Sequence, residues 1–346
     1  MAVHIGIGLF TAQVPPDSGR TFTQEYREII DLVRLAETLG FESAWVSEHH
    51  GGGDGYMPSL LPTLAAFAAA TDHIKLGTGV VLTPFHNPIR LAEDAVTVDL
   101  ISGGRLILGL GLGWREEEFR MFGMPLSERV RRTVETVEIL RRAWTGQRFS
   151  YEGKVYSYDR VLVTPAPERQ GAIPIWLGGS VEASIRRAGR LADGYIRTRG
   201  GDVEKMRRDI AWADEEARKA GGDPSSLAFA QLQNVFVWDD GDTAWEIASK
   251  YVPNQLGIYG GWDAGGDTPD QGFVLAPPDE QTMRYLTPTG SPQDLIRVLR
   301  PMVEAFGSRR EFHLVVRLHY PGMDFETASR AVELFAERVL PALKGD

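Results

Sequence analysis

Short apolar runs rich in β-branched residues alternate along this chain with longer stretches whose apolar positions recur every three or four residues. Such switching between the two periods is the mark of βα units. His4–Phe10 predicts the first strand. Thr23–Leu39 predicts a helix with Ile29, Ile30, Val33 and Ala36 on one face, ended by Gly40, a residue that tolerates left-handed geometry. Phe41–Ser47, Lys75–Leu82 and Leu106–Leu112 predict the next three strands, separated by helices over Ser59–Thr71 and Pro88–Ile101. The second of these starts on proline, where no amide hydrogen is missed. A long helix over Leu126–Trp144 and a hairpin over Phe149–Val163 follow. Ile175–Gly178 and Gly194–Arg197 predict strands five and six around the helix Glu182–Leu191. After the helix Val203–Ala220, strand seven is expected at Ala230–Trp238, with a helix starting near Thr243. Helices over Ser291–Ala305 and Asp324–Leu343 enclose the eighth strand, Phe312–His319.

Strands and helices in this order predict a single (β/α)8 TIM barrel over residues 1–346. The chain exceeds a typical barrel of ~250 residues by about a hundred. The inserted hairpin and the glycine- and proline-rich stretch 254–288 absorb part of the excess. That stretch has little periodicity and is expected to be a long loop able to act as a lid. An open doubly wound sheet is the alternative fold, but the GLGLG run at 109–113 lacks the spacing of a dinucleotide-binding turn.

Composition removes several classes of function. The chain has no cysteine, which excludes disulfides, thiolate metal sites and cysteine nucleophiles. Its formal net charge of -10 argues against a nucleic-acid partner. Arg129, Arg131, Arg132, Arg141 and Arg142 alternate with Glu128, Glu135 and Glu138, as on a solvated helix face. No apolar run is long enough to span a membrane and the N-terminus lacks signal-peptide character, so a cytoplasmic location is expected.

Candidate chemistry sits where barrel strands end, because those ends point into the mouth. Glu48, His49 and His50 follow strand two directly, and His86 follows strand three in TPFHNP. Histidine exchanges protons near neutral pH and can hydrogen-bond a cofactor ring. Together with Asp54 these residues include metal-ligand types, but HExxH is absent and neighbours on an extended chain point apart, so no metal is expected. Gly178, Gly179 and Ser180 end strand five ahead of a helix, which offers free amides and a hydroxyl to a phosphate. Arg197 and Arg199 after strand six could add positive charge. Gly79 lets a flat ring approach the backbone, and Trp114 could wall the pocket.

In order along the chain, LGFESAWVSEHH at 39–50, TDHIKLGTGVVLTPFHNPIRLAEDAVTVDLISGGRLILGLGLGW at 71–114 and EEEFRMFGMPLSERVRRTVETVEILRRAWTG at 116–146 resemble the bacterial luciferase-like family. IPIWLGGSVEASIRRAGRLADGY at 173–195 and TPTGSPQDLIRVLRPM at 287–302 continue the likeness, which is weakest over 254–288. The resemblance implies a barrel with an inserted hairpin, assembled as a homodimer. His49 would be the leading proton-transfer residue, with His50 beside it. A cis-peptide bulge beneath the flavin ring would fall at Gly79–Val80, and a phosphate-binding turn at Gly179–Ser180 with Ala183 nearby. Light-emitting members carry a phosphate-binding arginine where this chain has Leu112, so phosphate must be held differently. The first functional expectation is a monooxygenase that uses reduced FMN and O2 on a small organic substrate, served by a separate NAD(P)H–flavin reductase. An F420-dependent dehydrogenase or reductase is the alternative, and a nonenzymatic flavin-binding protein is a further one.

Overall fold

Strands buried on both faces read as near-continuous apolar runs, because one side meets helices and the other meets the barrel interior. The computed structural model bears this out; it describes residues 3–168, 173–198, 200, 202–263, 274–306, 309 and 311–345. Eight parallel strands close on themselves. They are β1 (Val3–Phe10), β2 (Ser43–Val46), β3 (Lys75–Thr78, resumed at Val81–Leu82) and β4 (Leu106–Gly111), followed by β5 (Ile175–Gly178), β6 (Gly194–Arg197), β7 (Ala228–Asn234) and β8 (Phe312–Arg317). Closure is complete: β1 pairs with β2 on one side and with β8 on the other, and Leu76 of β3 lies opposite Leu106 of β4. Helices cover the outside. Their ends are set by local chemistry: Thr21 accepts from Gln24 N to start Phe22–Thr38, and Asn87 accepts from Ile89 N and Arg90 N ahead of Pro88–Ser102.

Alternation along the strands sorts the side chains. Ile5, Ile7, Leu76, Leu108, Leu314 and Val316 pack outward against the helices. Trp45, Ile107, Trp176, Ile196, Ala230 and Val315 pack inside the barrel. Trp45 and Trp176 lie 5.6 Å apart and both contact the His313 ring, so the lower interior is filled by aromatic side chains. Gly77 and Gly194 make room for them, since a methyl group at either position would overlap an indole.

Several expected elements differ in detail. Strand three is interrupted at Gly79–Val80, where the peptide is cis, as the resemblance implied. Strand seven ends at Asn234; Phe236–Val237 leaves the barrel to pair with Thr289–Gly290. Strand eight ends at Arg317 rather than His319. The final helix is two, Phe325–Arg338 and Leu340–Lys344, with Pro341 opening the second. The hairpin forms from Phe149–Glu152 and Ser157–Val161. The expected loop at 254–288 is helical over Val252–Asp263 and again over Glu280–Leu286; residues 264–273 lie outside the described residues. Among the described residues, no helix is long and apolar enough to cross a membrane.

Candidate active site

The turn after β2 brings His49 and His50 to the barrel mouth and the turn after β3 brings His86, and each meets a buried carboxylate. His49 Nδ1 lies 2.9 Å from Glu118 Oε1, and the same oxygen accepts from His50 N at 2.9 Å. Glu118 comes from the short helix Glu116–Met121, which the sequence reading did not separate as an element. The His49 ring is walled by Tyr56, Trp262 and Tyr259, at centroid distances of 4.8, 4.7 and 5.8 Å. With Nδ1 engaged by Glu118, Nε2 is the nitrogen left for a ligand. Tyr56 donates to Ser47 Oγ at 3.1 Å, and its hydroxyl lies 3.1 Å from that of Tyr259. Tyr259 and Trp262 both lie on the helix Val252–Asp263, so part of the expected lid is an ordered cover over His49.

His50 and His86 converge instead on Glu48. Their Nε2 atoms lie 2.6 and 3.0 Å from its Oε1, while Leu82 N donates to Oε2 at 2.9 Å. Burial alone would raise the Glu48 carboxyl, but the hydrogen bonds from His50 and His86 hold it down at about 2. Burial works against the charged form of His86 as well, yet its contact with Glu48 raises it above the usual histidine value. The cluster therefore carries an ionised carboxylate between two imidazoles that tie the ends of β2 and β3 together.

Arginine 115 closes the other side. It donates to His50 O at 2.9 Å and lies over the Trp262 ring at 4.0 Å. Trp114 is partly exposed and 6.3 Å from His49, at the rim of the mouth.

Across the barrel the inner positions carry little bulk. A methyl at Gly111 or Gly178 would press on the Val80 side chain, and one at Gly79 on Leu9. Gly79, Val80, Gly111 and Gly178 thus form a low surface that suits a flat ring. Beside it is a small pocket lined by Leu110, Gly111, Leu112, Thr133, Leu177, Gly178, Ser184 and Arg187. Arg187 is half-buried and, among the described residues, makes no ion pair or hydrogen bond. Burial and then the nearby Arg190 and Arg129 lower its pKa. Arg129 donates to Gly113 O at 3.2 Å and Arg190 pairs with Glu216 at 4.0 Å, which leaves Arg187 and Arg129 as cations without a carboxylate partner among the described residues. Leu112 lies in the wall of that pocket, so Arg187 brings a guanidinium to the place where the expected arginine is missing.

Other sequence candidates fall differently. Ser180 and Ala183 are exposed at the start of the helix Glu182–Leu191. Its terminal amide at Val181 is 3.3 Å from Ser184 Oγ, and Gly179 O accepts from the Tyr195 hydroxyl at 2.8 Å. Ser184, Thr133, Arg187, Arg129 and Glu118 were missed as site residues. Arg187 had a legible signal, one helical turn beyond Ala183, but Arg129 was masked among charges read as a solvated face. Arg197 requires correction. Because Ile196 points inward, Arg197 points outward, where it is buried against Asp209 at 2.9 Å and donates to Gln231. Its charge is committed there, and it is not among the residues that line the pocket beside Gly178. Arg199 lies outside the described residues.

A closed βα barrel whose mouth sets a buried histidine–carboxylate pair beside a glycine-lined surface is a frame that flavin-type oxidoreductases use. Residues 4–309 match the family model described as luciferase-like monooxygenase, and the chain belongs to this family of flavin- and F420-dependent oxidoreductases. It is 31% identical to an F420-dependent glucose-6-phosphate dehydrogenase of Microbacterium testaceum, covering 92% of this chain and 93% of that one. It is 26% identical to the oxygenase component of a flavin-dependent trigonelline monooxygenase of Acinetobacter baylyi, with 93% and 91% covered. A monooxygenase structure from Streptomyces bottropensis superposes with a TM-score of 0.82 at 26% identity, covering 98% and 99% of the two chains.

Proposed function

We propose that this protein is an F420-dependent dehydrogenase or reductase that moves hydride to or from a small organic substrate. The pair of His49 and Glu118, 2.9 Å apart in an aromatic enclosure, carries the reading. Glu118 orients the imidazole, so His49 can take the proton of a substrate hydroxyl or return one to a carbonyl oxygen. Tyr56, Tyr259 and Trp262 exclude water around it. His50 and His86 position the mouth through Glu48. The low surface at Gly79, Val80, Gly111 and Gly178 would hold the cofactor ring, and Arg187 with Arg129 its phosphate. When bound, F420 supplies a carbon that accepts or donates a hydride, chemistry the side chains lack. The F420-dependent relatives that span nearly the whole chain support this choice over the FMN expectation.

A second reading, oxygenation of the substrate with reduced FMN, is supported by the similarity to the trigonelline monooxygenase component and the Streptomyces enzyme. The separate reductase belongs to that reading, and the homodimer rests on the family resemblance. Titrating the purified protein with F420 and with FMN, then assaying turnover with and without oxygen, separates the two. Anaerobic turnover that requires F420 is expected and should fall about 100-fold or more in Glu118→Gln. Product formed only with reduced FMN and oxygen would refute the first reading.

A further inference from the structure

Buried guanidinium groups in this protein generally have an oxygen-rich environment. Arg20 meets Glu25 and Glu28, Arg197 meets Asp209, Arg309 meets Asp214, and Arg105 donates to four backbone carbonyl groups. Arg317 departs from that pattern. It is 4% exposed, and among the described residues its one side-chain hydrogen bond runs from Nη1 to the neutral amide oxygen of Gln255 at 2.7 Å. Among the described residues its Nε has no partner, as is also true of Arg20 and Arg309, but unlike them it makes no ion pair. Burying a cation with so little compensation is costly.

Its direction is fixed by strand alternation. His313 and Val315 of β8 face the barrel interior, so Arg317, two residues further toward the mouth, shares their face. The helix Val252–Asp263 supplies Gln255 to Arg317 and, one turn later, Tyr259 to Tyr56, whose ring is 4.8 Å from His49. Burial dominates the raised pKa of Tyr56, and Arg317 is near enough to oppose it. The unneutralised guanidinium therefore lies on the His49 side of the mouth. The Arg187 pocket is on another side, between β4 and β5.

We propose that Arg317 binds an oxyanion of the substrate, making the substrate a small organic anion that carries a carboxylate or a phosphate monoester. This deepens the reading of a substrate-oxidising or substrate-reducing mouth and rests on it. A guanidinium presents a planar fork of donors that matches such a group two-pronged, and the free Nε lies on that fork. Gln255 holds the fork, and the anion supplies the charge the protein omits.

The test uses thermal denaturation of the intact protein with inorganic phosphate and with acetate as probes. Arg187→Ala serves as background, so that the other anion pocket does not contribute. In that background at least one probe should raise Tm saturably, and adding Arg317→Gln should weaken its apparent affinity about tenfold or more. Phosphate alone, acetate alone or both acting this way distinguishes the two substrate classes. Arg317→Gln in the wild-type background should be at least as stable as the parent without anion, because it removes an uncompensated charge; a structural arginine would instead lower Tm. No response to either probe, or a response that survives Arg317→Gln, would overturn the proposal. F420 binding, measured on the same variants, should be unchanged by Arg317→Gln; failure of F420 to bind with the anion response intact would sink the cofactor reading alone.

Discussion

Replacing Glu48 with glutamine removes the charge that holds His50, His86 and the Leu82 amide in one cluster while keeping the side chain's size. Moving a carboxyl from 4.5 to about 2 on folding corresponds to about 3 kcal/mol in favour of the ionised form. The group is fully buried, so solvent screens little of this. With unfolding entropy of ~2.1 cal/mol/K per residue, a chain of 346 residues would lose about 4 °C in Tm. The pH dependence has two limbs. Because Glu48 is depressed in the folded state, its contribution is present above the ordinary carboxyl value and is lost as pH falls toward 2. Because His86 is raised, its contribution is present below the ordinary histidine value and is lost as pH climbs through the raised one. The Tm gap between wild type and Glu48→Gln should therefore be widest between about pH 5 and 6.5 and narrow on either side. Calorimetric scans from mildly acid to alkaline pH read it directly. A gap below about 1 °C near pH 6, or one that does not change with pH, would refute the assignment of an ionised carboxylate between two imidazoles.

Arg187→Ala should weaken binding of the phosphate-bearing cofactor by roughly 10- to 100-fold, the loss of a charged hydrogen bond. Fluorescence titration measures it, and unchanged affinity would remove Arg187 from the phosphate site. Arg197→Ala should do the opposite, leaving affinity alone but costing about 1–3 kcal/mol of stability, because buried Asp209 loses the partner on Oδ2 and keeps Arg208 on Oδ1; a variant that keeps its Tm and loses affinity would restore the first expectation for this residue. Gly77→Ala puts a methyl against the Trp45 ring and should destabilise the barrel by about 1–3 kcal/mol through overpacking, checked by chemical denaturation. Wild-type stability would mean that the two indoles have room to shift.

The barrel was legible because each strand buries both faces and each intervening helix shows an apolar stripe, so pattern and architecture agree. His49 was legible for a related reason: a polar trio directly after an apolar strand has to sit at a mouth. Partners brought from far along the chain were not. Glu118 joins His49 from 69 positions away, in a segment whose three consecutive glutamates look like solvated surface. Arg197 misled because a strand's last residue faces inward or outward by parity, which sequence position near a strand end does not fix. Val252–Asp263 was read as irregular because its glycines and proline weaken helical propensity. Packing of Tyr259 and Trp262 on the mouth outweighs that weakness.

That helix gathers one wall of the mouth into a single stretch of chain. The glycine-lined surface and the pocket beside it depend on strand ends scattered over a hundred residues, which no single exchange could replace together. Gln255, Tyr259 and Trp262, by contrast, lie within one continuous segment of twelve residues. Grafting a sister protein's version of this helix onto the same barrel would refit the enclosure around His49 while the cofactor half stayed untouched, a short route by which one scaffold can serve many metabolites.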